Sequence, residues 1–205
     1  MTEWGDWGHH QPAAVSLPGF AFGAAMSWCA ATNSDIDLAE VTDSAAVAFG
    51  DVYLATAAQR PNCSAFLRHL YLPQARVRHI THDELDGARA VIDTGIQKLD
   101  ARTDADADEL RWAVDVVRLA LDDAEGRLQG DGTLASITAD RRVVLADAAV
   151  DIETRHAELW PRRSRPGGLT GSRRWFTRLR DGYVAGAVPT GWPYPEVDLS
   201  DGEAE

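Results

Sequence analysis

The chain is poor in cysteine, methionine and lysine: of 205 residues, two are Cys, two are Met, and Lys98 is the one lysine. Cys29 and Cys63 are too few and too far apart for a disulfide framework or a zinc site, which need several ligands at recognised spacings. Cys29 follows an apolar run and reads as a small buried hydrophobe. No apolar run approaches the ~20 residues that a membrane span requires. The N-terminus also lacks the basic-then-apolar order of a signal peptide, so the expected location is cytoplasmic. Positive charge is scarce as well: 20 Lys and Arg face 32 Asp and Glu, for a net charge of -12. Phosphate backbones and anionic membranes attract basic surfaces, so neither nucleic acid nor a membrane is expected as a partner.

Signatures of several chemistries are missing too. Ser27, Ser64 and Ser164 sit in no nucleophile-elbow context. Gly5-x-x-Gly8 lacks the Lys and the following Ser or Thr of a phosphate loop, and no cofactor is expected. His9 and His10 are adjacent and point different ways, with no Cys or carboxylate at a ligand spacing, so no metal is expected. His79 and His82, near a helix start, read as cap-region or surface residues. Acid pairs such as Asp122-Asp123, and Asp104, Asp106 and Asp108, read as helix starts and solvated faces.

What the chain does have is concentrated first at its start. Trp4, Gly5, Asp6, Trp7, Gly8, His9, His10 and Gln11 crowd together ahead of an apolar run from Val15 to Trp28. Aromatic faces bind the apolar faces of sugars, and a carboxylate between them accepts hydroxyl hydrogen bonds. The structural alternative is that Trp4 and Trp7 bury apolar area while Asp6 bonds turn amides.

The pattern Trp4-Gly5-Asp6-x-Gly8-His9, then Gln11-Pro12, Leu17-Pro18-Gly19-Phe20 and Gly23-Ala24-Ala25-x-Ser27-Trp28, resembles the last strand, loop and helix of the catalytic (β/α)8 barrel in bacterial glycoside hydrolase family 20, the β-N-acetylhexosaminidases. Glu158-Leu159-Trp160 and Arg163 to Leu169 resemble the segment that closes the helical C-terminal region in some of those enzymes. The resemblance implies that Trp4 stacks on the terminal sugar and Asp6 binds its outer hydroxyls. The family's catalytic Asp-Glu pair belongs to an earlier strand, so no catalytic residue is assigned in this chain. Its implied role is a C-terminal fragment or subunit of a glycoside hydrolase acting on terminal N-acetylhexosamine, inactive unless the missing barrel portion completes it.

Read in order, residues 1-33 form the remnant of the last barrel β/α unit, 34-187 a C-terminal helical domain, and 188-205 an irregular tail. Val15 to Ala31 reads as a helix apolar almost all round, which would be covered on several sides in a complete barrel. Here it predicts an exposed apolar patch or pairing with another polypeptide or a second copy. Short helices follow at Ile36 to Val41, Ala45 to Ala58 and Ser64 to Leu72, the last stopped by Pro73.

The pattern then lengthens. Thr81 and Glu84 have the spacing of a capping box, and Leu85, Ala88, Ile92, Ile96 and Leu99 make one apolar stripe. Asp106 and Glu109 repeat the start signal before Leu110, Val114, Val117, Leu121, Ala124 and Leu128. Trp112, Val116 and Leu119 widen that face, so this helix is expected to meet more than one partner. A third helix starts near Thr138 and ends about Trp160, before Pro161, with Leu145, Ala148, Ile152, His156 and Leu159 as its stripe.

Three long helices joined by short turns predict an antiparallel helical bundle, mainly α. Thr170 is the expected cap of a final helix facing inward with Phe176, Leu179 and Tyr183. The arginines of 162–168 are expected to pair with nearby Asp residues in a helix-to-helix connection, the alternative being an anion- or sugar-facing loop. Besides the glycosidase reading, two alternatives stand: a non-catalytic helical interaction module that binds a partner through the exposed apolar helix, and an independent carbohydrate-binding module.

Overall fold

The computed structural model describes residues 23–29, 31–32, 68–71, 73–78, 80–164 and 167–189. All regular structure among them is helical, with no strand. The elements are α1 (Arg68–Tyr71), α2 (His82–Asp100), α3 (Ala105–Leu128), α4 (Ala139–Arg163) and α5 (Leu169–Ala185), with a 3-10 turn at Leu134–Ser136 between α3 and α4. Residues 23–29 and 31–32 are also helical, overlapping the C-terminal half of the expected Val15 to Ala31 helix and reaching one residue beyond it. The expected helices at Ile36 to Val41 and Ala45 to Ala58 lie outside the described residues.

The start of α2 is the predicted capping box. Thr81 accepts a hydrogen bond from the Glu84 N–H at 3.2 Å, and the Glu84 carboxylate accepts from the Thr81 N–H at 2.7 Å. These two bonds satisfy donors that the first helical turn cannot satisfy itself. The start of α3 differs from expectation. Asp104, not Asp106, is the cap, its carboxylate accepting from the Ala107 N–H at 3.0 Å, while Glu109 is buried. Arg102 donates two hydrogen bonds to Asp104, at 2.8 and 2.9 Å, and with the Ala107 N–H holds the carboxyl at a pKa of about 2.

The other ends follow backbone geometry. Helix α4 begins after Thr138 as expected but runs through Pro161 to Arg163. A proline in the final turn removes only its own N–H bond, and the Ser164 N–H still reaches the Trp160 carbonyl at 2.9 Å. Helix α5 is capped by Gly168 with φ 95°, two residues before Thr170. That left-handed conformation reverses the chain over a few residues and is open to glycine at little cost.

Partner order across each pair of helices fixes their directions. From Arg89 to Asp93 to Leu99 along α2, the partners on α3 run backward from Asp122 to Arg118 to Arg111. Along α3, Asp108 and Asp115 pair with Arg162 and then Arg155 of α4. His156 and Glu153 of α4 meet Ser172 and then Arg173 of α5. Each successive pair is therefore antiparallel, the helical bundle that the sequence predicts.

Helix α3 is the central element, and its apolar residues divide between two cores. Leu110, Val114, Val117, Leu121 and Ala124 pack with Leu85, Ala88, Ile92 and Leu99 of α2, along with Val77 and Ile80. Trp112, Ala113, Val116, Leu119 and Ala120 belong to a second core with Leu145, Ala149 and Ile152 of α4, Trp175, Phe176, Leu179 and Tyr183 of α5, and Leu70 of α1. Each fully buried Leu, Ile or Phe contributes roughly 1.5–3 kcal/mol from removal of apolar surface. Gly132 closes the α3–α4 connection at φ 87°, its carbonyl accepting a hydrogen bond from the Val77 N–H at 2.9 Å. A Cβ there would lie 2.7 Å from the Val77 carbonyl oxygen, so the close approach requires glycine.

Candidate functional site

Trp4 and Asp6, the expected sugar contacts, lie outside the described residues, as do His9, His10, Cys63, His79 and the tail from Thr190 onward. Of the apolar N-terminal helix, the described part carries Trp28 with 90 % of its surface exposed and Met26 half-buried. Cys29, expected to be buried, is exposed instead. It shares the helix with Trp28 one residue away, on a side that no described element covers. Thr32 donates a hydrogen bond to its sulfur at 2.7 Å and lowers the thiol's pKa.

Within the bundle, polar chemistry occurs in three places. The first is a buried network on α3. Asp123 accepts from Arg127 one turn later and from the Tyr183 hydroxyl of α5 at 2.6 Å. Arg127 also donates to the carbonyls of Pro73 and Ala75, at 2.9 and 3.0 Å. His69 of α1 lies 3.7 Å from the Asp123 carboxylate, with its Nε2 2.8 Å from the Ala120 carbonyl oxygen. Burial and the neighbouring carboxylate push the Tyr183 hydroxyl's pKa well up, so it stays a donor.

Asp123 is thus fully buried, where the sequence reading placed the Asp122-Asp123 pair on a solvated face. The physical reason is register: Asp123 falls four residues after Leu119 and four before Arg127, on the widened apolar face that begins at Trp112. The i,i+4 spacing of Asp123 and Arg127 within that face was the available signal. The network ties α1, the 73–75 turn and α5 to one helix, and its charges are paired and hydrogen-bonded as burial demands.

The second place is an aromatic enclosure around His156. Its ring centre lies 5.1 Å from Trp112, 5.4 Å from Trp160 and 5.3 Å from Phe176, and its Nε2 lies 2.8 Å from the Ser172 hydroxyl. Trp112 donates its indole N–H to the Ile152 carbonyl at 2.9 Å. His156 and Ser172 are both buried in this packing, so the pair joins α4 to α5 as a structural contact.

The third place is open to solvent: a furrow of about 470 Å³ between α3 and α4, with Asp115, Arg118, Leu119, Ala148, Asp151 and Ile152 in its lining. A smaller cavity of about 150 Å³ on the α2 side shares Arg118 and Asp122 with it. Around the furrow, Asp115 is bridged by Arg155, and Asp122 by Arg89 at 2.6 Å. Glu125 accepts from Arg89 at 3.1 Å and from Arg141 at 2.5 Å, bonds that hold its carboxyl below its usual pKa. Burial pushes the Asp115 carboxyl up against the pull of Arg155.

Arg162, at the end of α4, pairs with Asp108 at 2.8 Å, the connection role expected for that arginine. Arg165 and Pro166 lie outside the described residues. Among the described residues no group of three or more His, Cys, Asp or Glu is placed to hold a metal ion, and no helix is long and apolar enough to cross a membrane. Comparison with known protein families, with curated proteins and with solved structures finds no match.

Proposed function

We propose that this chain is the C-terminal portion or subunit of a glycoside hydrolase acting on terminal N-acetylhexosamine, docking through the Val15–Trp28 helix onto a barrel that carries the acid-base pair. Trp4 and Asp6 would line the sugar subsite there, the indole against the ring and the carboxylate on its hydroxyls. The observation that carries the docking is Trp28, whose indole is 90 % exposed on a helix of largely apolar sequence. A large exposed aromatic on such a helix supports this reading, because a partner polypeptide that covered it would remove its apolar surface from water. The bundle behind it is then a scaffold, held by two cores and a buried ion pair, with no acid-base constellation assigned to it.

The test is to express the chain with the polypeptide encoded immediately upstream and assay hydrolysis of 4-nitrophenyl N-acetyl-β-D-glucosaminide. A complex active on this probe, whose kcat/KM falls at least tenfold in Trp4→Ala, is the expected result. Absence of both complex and hydrolysis would overturn the reading. The second reading, a non-catalytic interaction module, rests on the same Trp28 and predicts a complex without hydrolysis, lost in Trp28→Ala.

A further inference from the structure

We propose that the furrow between α3 and α4 binds a small zwitterion with an apolar side group, of the α-amino acid class, its carboxylate on Arg118 and its ammonium on Asp151. The geometry behind this is a ladder of ion pairs with one open rung. Asp108 pairs with Arg162, and seven residues on, Asp115 pairs with Arg155, seven residues back along the antiparallel partner. One turn further, Arg118 comes level with Asp151. Their charges are opposite, as at the closed rungs, yet no ion pair joins them.

Arg118 leans the other way, reaching Asp93 of α2 at 3.5 Å through an exposed contact. Asp151 takes part in no ion pair among the described residues, although it lies near enough to Asp115 to raise that carboxyl's pKa. Beyond this level the ladder closes again, where Arg141 meets Glu125 at 2.5 Å and Asp122 at 3.7 Å.

The cavity opens at the unfilled rung. Its volume of about 470 Å³ lies within the roughly 300–1,000 Å³ of small-molecule sites. Leu119, Ala148 and Ile152 supply the apolar part of its lining. Of its charged residues, Asp115 and Arg155 are bridged to each other and Asp122 is held by Arg89 and Arg141, which leaves Arg118, turned to Asp93, and Asp151 as the two not matched across the furrow. An α-amino acid carries both charges on one carbon, so its head group can bridge an Arg and an Asp that line one furrow without pairing with each other. Its side group then lies against the apolar lining and removes that surface from water. Arg presents a planar fork suited to a carboxylate, and an ionised Asp accepts from an ammonium. A simple anion or cation would satisfy one wall and leave the other unmatched.

The experiment uses the full chain and L-leucine as the probe, read by the shift in Tm and by titration calorimetry. Saturable binding of L-leucine is expected. Glycine, without the side group, L-leucinamide, without the carboxylate, and N-acetyl-L-leucine, without the ammonium, should each bind at least tenfold more weakly. Arg118→Ala and Asp151→Asn change exposed side chains outside both cores and should each weaken L-leucine at least tenfold with an unchanged circular dichroism spectrum. No saturable response to L-leucine at millimolar concentration, or equal binding of the three analogues to the unaltered chain, would overturn the proposal. The analogue series needs no variant, so a variant that fails to fold leaves the test intact.

Discussion

The two sides of α3 are buried to the same degree and built by different means. Toward α2 the packing is aliphatic: Leu110, Val114, Val117, Leu121 and Ala124 meet Leu85, Ala88, Ile92 and Leu99. Toward α4 and α5 it is aromatic and polar, with Trp112, Trp175 and Phe176 in the core and, further along α3, an Asp123–Arg127 pair wholly removed from solvent and bonded to Tyr183 of α5. An aliphatic seam tolerates small shifts along the helix axis, because its contacts are non-directional. A buried ion pair with fixed donors does not, since a displaced partner leaves a charge unmatched. The polar side therefore sets register, while the aliphatic side supplies adhesion.

The largest effect that would break this contrast is at Asp123. Asp123→Ala leaves the Arg127 guanidinium buried without its counter-charge and should cost about 3–5 kcal/mol in urea unfolding. The double variant Asp123→Leu with Arg127→Met should lose less than Asp123→Ala alone, because no unmatched charge remains. A double variant as unstable as the single one would show that the carbonyl contacts to Pro73 and Ala75, not the charge, dominate.

On the aliphatic side, Leu121→Ala should cost about 2–5 kcal/mol through lost burial and a residual cavity, checked by the same unfolding curve. Its loss should be the same at pH 5 and pH 8, since the buried contacts Leu121 makes there are with aliphatic side chains. A strong pH dependence would erase the distinction between the two sides.

The smallest effect concerns the entry to α3. The Asp104 carboxyl has a folded pKa of about 2, below its ordinary 3.8, so its ionised form favours the folded chain. That contribution is complete above the ordinary value and is lost as pH falls from there toward about 2. Tm measured across this window should fall less steeply in Asp104→Asn, and an identical slope would show that the Arg102 contact is not kept in solution.

The aliphatic seam could be read along the chain because its residues recur three and four apart, and the same periodicity marked α2, α4 and the inward face of α5. The capping box at Thr81 was legible for a similar reason: its two partners are three residues apart. Asp104 and Gly168 were displaced by two residues from the predicted caps, because several nearby residues could cap and backbone geometry chose among them. Asp123 was misplaced because charged residues are mostly exposed, and its partner Tyr183 is distant in sequence. The furrow was not legible at all, since Arg118 and Asp151 become neighbours only through the antiparallel docking of α3 on α4. Trp4 and Asp6, taken from the family resemblance, lie outside the described residues.

By itself the sequence determined the helices of the bundle, their direction through short connections, and the acidity that disfavours polyanions. Only the tertiary structure decided which carboxylate is buried, that Cys29 is exposed, and where opposite charges stand level without pairing. Periodicity records how one helix meets an apolar surface, a local property repeated every turn. Ion pairing across helices depends on their relative register, which packing sets and no single segment encodes.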